Sequence, residues 1–500
     1  MEQLGLSYVA SYAREKGFEV DIVDGFLDPD RYDSILQDVR TGDYRLIGYP
    51  VYPETIQKVA RDVGILRDRG VSTHVTVGNH VATLHDASVL RDFEVFDSTV
   101  RGEGEQTIAA LLASPEWDDA AESVEGVTYR TGGRIIRNPP RANVRDLDEI
   151  PFPARDTLPW VLDLGNAPLI YTSRGCNARC DFCSVHNFFR AAGNGRWRGR
   201  SPTNVVDELE SLHDRFGVAE FAFADEQFLG HGTAGIDRAL GIASEIQRRE
   251  LDVRWYVETR ASGIRRDVFA ALKKGGLAAV FMGLESGYDP ALKSMKKGLR
   301  VDQSIAALEV LKDLEIFPSA GFIMYRPDTS IDEIKHNLDF LETVGCVEVT
   351  ALATALRVYS GTELEIRMQG SGQLHGKYYD YAWQFQHPTV ADCYRTVMQS
   401  VDMLTISYNE FARLRRRGLL TFSEAISLQR TMNAEPIAIM RAVVEALEMG
   451  SPQEEVAHWA RREFKRACEG FLRLLRLVAI AADQQPVMDP FLLKSPMYLC

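Results

Sequence analysis

The chain has 500 residues, 45% hydrophobic and 26% charged, a balance typical of a globular protein and too long for one core. Its net charge of −14, from 57 basic and 71 acidic residues, argues against a nucleic-acid polyanion as the main partner. No apolar run reaches the roughly 18 residues a spanning helix needs, so no membrane partner is expected; the longest candidate, Leu474–Ala482, reads as a buried helix. The opening MEQLGLSYVASY lacks the basic and apolar regions of a secretory signal. Four of the seven cysteines stand alone (Cys346, Cys393, Cys468 and Cys500), which fits a reducing compartment, and the chain reads as cytoplasmic.

In chain order, GLSYVASYAREKG has helical spacing and FEVDIVD reads as a strand. Then come a helix over 32–40, the strand YRLIGYPVY, the helix TIQKVARDVGILRDRG, the strand HVTVG, a helix near 86–91 and the strand VFDSTVRG. Strands rich in Val and Ile alternating with helices predict a parallel sheet covered on both faces, a doubly wound, Rossmann-like domain over 1–138. GVTYRTGGRIIRNPP predicts a hairpin turning at Gly132 and Gly133, and the Pro- and Asp-rich stretch over 139–166 a linker. A second alternating series, over 167–376, has six strand-like segments: PLIYTSR, AEFAFAD, DVRWYVE, AAVFMGLES, SAGFIMY and EVTALATALRV. Six βα units suit an open, partial (β/α)6 barrel of the TIM type rather than a closed one. Residues 377–500 read as a helical C-terminal region.

After the first barrel strand, YTSRGCNARCDFCSVHNFF places Cys176, Cys180 and Cys183 in a C-x3-C-x2-C spacing. Ligand sites of α/β folds gather at the carboxyl ends of strands, so the triplet lies where chemistry is expected. Three thiolates cannot pair off as disulfides. One reading is a structural zinc site with His186 as fourth ligand. The other is an iron–sulfur cluster whose fourth position stays open, and it explains more of the surrounding sequence.

With Phe182 before its last cysteine, the triplet resembles that of the radical S-adenosylmethionine enzymes. The resemblance implies that Cys176, Cys180 and Cys183 hold a 4Fe–4S cluster. The open iron would bind S-adenosylmethionine, which is cleaved to a 5′-deoxyadenosyl radical that takes a hydrogen atom from the substrate. It also implies S-adenosylmethionine contacts from Phe182, from Asp225 and Glu226 in FAFADEQFLG, from Arg260 in ETRAS, and from Glu285 and Ser286 in GLESGYDPALKSMKKG. WRGRSPTNVVDELE matches the cobalamin-type subgroup, with Ser201 or Thr203 as a helix cap. GFIMYRPDTSIDEI departs from the family's Gly-x-Ile-x-Gly-x-Pro-Gly-Glu-Thr: Tyr325 and Asp328 replace glycines. Tyr325 is expected either to narrow the substrate cavity or to pack on a neighbouring helix.

Residues 1–110 resemble the cobalamin-binding domain that precedes such barrels. The matched loops are GYPVYPET, GNHVATL and RGEGEQT. They imply cobalamin contacts from Tyr52 and Thr55, from Gly78, Asn79 and His80, and from Gly102 and Glu103. No Asp-x-His-x-x-Gly is present, so no lower axial histidine is expected, and His80 is read as an ordinary hydrogen-bonded histidine. Asn79 replaces a glycine of the family loop. The first strand of the family's sheet is also expected to be missing, since the sequence opens at the first helix. The whole reading is a radical enzyme that methylates an unactivated carbon of a small molecule with the help of cobalamin, reduced by a flavodoxin or ferredoxin. The alternatives are radical rearrangement, cyclisation or oxidation without methyl transfer, and a zinc-stabilised binding protein.

Overall fold

The computed structural model describes residues 2–114, 123–191 and 196–481. The chain divides into two compact units: Met1–Glu258 with Lys274–Leu277 and Val358–Ala382, and Thr259–Lys273 with Ala278–Arg357 and Trp383–Cys500.

The first unit opens with α1 (Leu4–Glu15), α2 (Pro29–Asp38), β1 (Leu46–Pro50), α3 (Ile56–Asp68) and β2 (His74–Gly78). It continues with α4 (Asn79–Leu84), α5 (Asp86–Asp92), β3 (Ser98–Val100), α6 (Glu105–Ala113), β4 (Val127–Thr131) and β5 (Arg134–Arg137). β1, β2 and β3 pair in parallel; β4 and β5 extend the sheet antiparallel. Val75, Val77, Val63, Leu90 and Phe96 fill the space between sheet and helices, burying the apolar runs that the alternation predicted. The hairpin turns at Gly132 and Gly133, both at positive φ, as a two-residue turn requires. FEVDIVD is corrected. It joins no ladder, and the carbonyl of Val20 is taken by the Arg14 guanidinium at 3.1 Å instead of by a neighbouring strand. Residues 139–166 are packed: Val144, Leu147 and Ile150 bury against Leu4 and Tyr8 of α1.

The cysteine triplet follows β6 (Leu169–Ile170) and β7 (Ser173–Arg174); β7 pairs antiparallel with β8 (Arg198–Gly199). β6 pairs in parallel with β9 (Glu220–Phe223), and β9 with β10 (Arg254–Thr259). Ser201, not Thr203, caps the helix Pro202–Phe216, its hydroxyl accepting the Asn204 N–H.

In the second unit β11 (Leu277–Glu285) pairs in parallel with β12 (Phe317–Phe322). The expected sixth strand is corrected to a 3-10 turn over Val349–Ala353. Its five side chains are all buried, and only one parallel bridge, Tyr325 with Ala355, remains of the ladder. Four long helices follow, Pro388–Met398, Val401–Arg416, Phe422–Glu448 and Gln453–Ala481. Leu474–Ala481 lies in the last of these and is amphipathic rather than buried: Leu475 and Ala479 face the core while Leu477 and Ile480 are exposed. Tyr325 packs edge-on against Tyr394 and Phe385, which settles its role as a packing residue.

Candidate active site

The cysteine loop is shaped by its neighbours. Gly175 turns it at φ 90, where a Cβ would lie 3.2 Å from the Arg196 carbonyl oxygen, so only glycine fits without strain. Cys176, Cys180 and Cys183 are half-buried. The Ala178 N–H approaches the Cys176 sulfur at 3.4 Å, an arrangement that favours a thiolate. Phe182 is half-buried among them. The helix Val185–Ala191 then leaves the loop, and the Nδ1 of His186 is buried with no hydrogen-bond partner among the described residues.

Asp225 and Glu226 follow β9, but they do different work. One Asp225 oxygen accepts the backbone N–H groups of Thr172 (2.6 Å) and Ser173 (2.9 Å), and the other accepts the Thr172 hydroxyl. This buried carboxylate holds the strand end that leads into the cysteine loop. Both of its oxygens are engaged by the backbone and hydroxyl of Thr172 and the backbone of Ser173. Glu226 accepts the Gly175 N–H at 3.0 Å, beside the first cysteine. Burial pushes its carboxyl up to about 7. Glu258, at the end of β10, is also pushed up to about 7, by burial and by the charges of Glu226 and Asp225. Sequence reading passed over Glu258. The available signal was a carboxylate at a strand end, in WYVETR, in the same position as the acids after β9.

In the second unit Glu285 closes β11 at a bulge, with φ 66, an uncommon conformation for a residue with a side chain. Its carboxylate pairs with the buried Lys297 ammonium at 2.6 Å. Arg260 donates to the Lys297 carbonyl oxygen from the same unit. Ser286 is fully buried; its hydroxyl donates to Asn337 Oδ1 at 2.9 Å, and Asn337 also accepts the Gly287 N–H. Ser286 and Gly287 thereby fix the strand end through Asn337.

The three loops read from the first domain all follow parallel strands, so they share the carboxyl edge of its sheet. Tyr52 donates its N–H to Thr55 Oγ1, folding the first loop into a turn. Gly78 has φ −132, and a Cβ there would meet nothing nearer than the Val100 carbonyl oxygen at 3.8 Å. The fold itself leaves room for a side chain that the sequence does not use. Asn79 adopts φ 79, the left-handed region where glycine stands in the family; Asn is among the few other residues that tolerate it. Its Oδ1 accepts the His80 N–H at 2.6 Å and lies 2.7 Å from His80 Nδ1. Burial holds the His80 imidazole down at about 4, so the ring is neutral, and it stacks on Phe188 with centroids 4.3 Å apart. Gly102 turns the third loop at φ 73 and donates to Thr83 Oγ1. Although burial alone would raise the carboxyl of Glu103, Arg174 and Arg198 hold it below the usual range. Its side chain, 7% exposed, braces the two arginines.

A Rossmann-like sheet with ligand-type loops at its carboxyl edge, followed by parallel barrel strands and a C-x3-C-x2-C loop, defines a radical-type α/β enzyme with a second cofactor domain. Comparison with known proteins agrees. Residues 170–341 match the radical SAM superfamily and residues 1–112 the B12 binding domain. The uncharacterized methyltransferase PH0819 of Pyrococcus horikoshii is 30% identical over 72% of this chain and 77% of its own length. The anaerobic magnesium-protoporphyrin IX monomethyl ester cyclase of Rubrivivax gelatinosus is 28% identical over 64% of this chain and 58% of its own. The solved structure of the cobalamin-dependent S-adenosylmethionine radical enzyme OxsB, with aqua-cobalamin and S-adenosylmethionine bound, shares the fold. Its TM-score is 0.74 at 18% identity, over 98% of this chain and 79% of that one. The chain belongs to the cobalamin-dependent radical S-adenosylmethionine enzymes, whose cofactors are a 4Fe–4S cluster, S-adenosylmethionine and cobalamin.

The residues present fit that set. Cys176, Cys180 and Cys183 stand half-buried on a single loop. A cluster spreads its thiolates over several irons and asks only for one loop carrying three of them. At Gly78 a Cβ would meet nothing nearer than 3.8 Å, so the backbone at this strand end is open to the close approach of a cofactor such as cobalamin. No described helix is long and apolar enough to cross a membrane.

Proposed function

We propose that the protein transfers a methyl group to an unactivated carbon of a small molecule. The observation that carries this reading is the stack of His80 on Phe188, which joins the carboxyl edge of the cobalamin-type sheet to the helix leaving the cysteine loop within one compact unit. When bound, the cluster and S-adenosylmethionine supply a hydrogen-abstracting radical, and cobalamin carries the methyl group. Cys176, Cys180 and Cys183 hold the cluster. Asp225 fixes the backbone ahead of them. Glu226 and Glu258 form no ion pair with a lysine or arginine among the described residues, and a cation beside them would favour their ionised forms, which fits the amino group of S-adenosylmethionine. Phe182, Arg260 and the Glu285–Lys297 pair are the remaining candidates for contacts to that cofactor. Tyr52, Thr55, Gly78 and Gly102 line the corrin edge, with Asn79 and His80 behind them. The buried single thiols Cys346 and Cys393, whose pKa burial raises, fit a reducing cytoplasm, and a flavodoxin- or ferredoxin-type protein supplies electrons.

A second reading, radical cyclisation without methyl transfer, draws on the cyclase among the relatives. Anaerobically reconstituted protein with reductant and methyl-deuterated S-adenosylmethionine separates the two. The methyl reading expects S-adenosylhomocysteine together with 5′-deoxyadenosine, and a labelled product. With substrate turnover, 5′-deoxyadenosine without S-adenosylhomocysteine establishes the second reading.

A further inference from the structure

We infer that the two cofactor sites are built to load together: the loop that carries the cysteines is gripped at both ends by side chains from the corrin-edge loops, so each cofactor raises the affinity of the other. This rests on the cofactor assignment above and goes beyond it.

The first grip lies two residues before Cys176. Arg174 is buried, and its guanidinium pairs with Glu105 at 2.6 Å and Glu103 at 3.2 Å. Glu103 lies in the loop that follows β3, directly after Gly102, and Glu105 opens α6 at the end of that loop. Glu103 reaches further, to Arg198 at 2.7 Å on the strand paired with Arg174, and it accepts the Val144 N–H. The Arg174 guanidinium also lies over the Tyr8 ring of α1, 5.0 Å from its centroid. Thus two acids of one corrin-edge loop hold both strands, β7 and β8, at the root of the cysteine loop.

The second grip lies five residues after Cys183. Phe188 stacks on His80, whose ring is oriented by Asn79 Oδ1, and Asn79 is the left-handed residue that turns the chain off β2. Asn143 Nδ2 donates to the Phe189 carbonyl at 2.9 Å and fastens the same helix. The loops after β2 and β3 therefore cannot shift without moving one end of the cysteine loop. A ligand resting on those loops and a cluster ordering the cysteines each favour the same arrangement of the contacts between them. Two ligands that select one conformation show reciprocal coupling.

The experiment uses the full chain in two forms, with the cluster reconstituted and with iron omitted, and titrates each with hydroxocobalamin under anaerobic conditions. The expected result is a dissociation constant about tenfold smaller for the cluster-loaded form, within the range usual for coupled sites. Iron retention against a chelator should rise by a similar factor when hydroxocobalamin is present. Glu105→Gln removes the strongest ion pair and should bring the ratio close to one. Phe188→Leu keeps most of the buried volume and tests the other grip without touching a charge, so it serves where Glu105→Gln fails to fold; it should lower the ratio severalfold. Equal hydroxocobalamin affinity in the two wild-type forms overturns the inference while leaving the cofactor assignment standing. An undiminished ratio in both variants, with normal circular dichroism, does the same. A chain that takes up iron but no hydroxocobalamin in either form overturns the assignment itself.

Discussion

The carboxyl ends of β9 and β10 in one unit and of β11 in the other all carry acids, yet they are neutralised differently. In the first unit the charge of Asp225 raises Glu226, the charges of both raise Glu258, and among the described residues no lysine or arginine side chain forms an ion pair with Glu226 or Glu258. Asp225 and Glu226 accept backbone N–H groups that lead into the cysteine loop. In the second unit Glu285 meets Lys297 at 2.6 Å and sits in a left-handed conformation at a bulge. A cation-seeking site needs surplus negative charge, and only the first arrangement keeps it. Strand-end carboxylates that look equivalent in sequence thus divide into a pair with raised pKa, a backbone clamp and an internal ion pair.

The comparison breaks first at the cysteines. Replacing Cys176, Cys180 or Cys183 by Ala should abolish iron retention after anaerobic reconstitution, whereas Cys346→Ala, Cys393→Ala and Cys468→Ala, all buried far from any such loop in sequence, should keep it. Next, Asp225→Ala leaves two buried backbone N–H groups and a hydroxyl without their acceptor, at about 1–3 kcal/mol each, and should cost several-fold in iron content and several degrees in melting temperature. Glu285→Ala should spare the iron. It leaves Lys297 buried and unpaired, for about 3–5 kcal/mol of stability. Glu285→Gly should lose about 1–2 kcal/mol less than Glu285→Ala, since glycine adopts φ 66 without strain. Iron assays with urea titrations check all four, and an Asp225→Ala protein with normal iron content would remove the clamp from the account.

The fold was largely legible because Val- and Ile-rich runs alternating with amphipathic helices leave few topologies open, and the hairpin at Gly132 and Gly133 was written in its turn residues. FEVDIVD failed because period-two apolar spacing says nothing about whether a neighbouring strand exists to pair with. EVTALATALRV failed because a run buried on every side looks alike as strand and as tight helical turn. The cysteine loop was legible from spacing alone. The acids were not, since Asp225 and Glu226 are adjacent in sequence and differ only in what the folded backbone brings to them. The pairing of Glu103 was hidden for the same reason: its arginine partners lie 71 and 95 positions further along the chain. Asn79 stands where glycine was expected, and the structure explains why the exchange is tolerated: its side chain supplies the bond that orients His80.

The smallest expected effect is the most direct probe of the surplus charge. Glu258 titrates near 7 in the folded chain against an ordinary value of 4.5, because burial and the charges of Glu226 and Asp225 disfavour its ionised form. The unfolded chain therefore ionises first as pH rises. Below about pH 4.5 both states hold the proton and this carboxyl costs nothing; between about 4.5 and 7 stability falls, and above 7 the loss, roughly 3 kcal/mol at most, is constant. Glu258→Gln removes the titration, so its urea midpoint should match wild type near pH 4, decline less toward pH 7 and exceed wild type at pH 8. If the amino group of S-adenosylmethionine is the cation this corner serves, adding that cofactor should shift the wild-type decline to lower pH, because a neighbouring positive charge favours the carboxylate. The same addition should leave the Glu258→Gln profile unmoved in shape. Identical pH slopes for wild type and Glu258→Gln would show that the charge at β10 is already compensated, and the contrast with Glu285 would lose its physical basis.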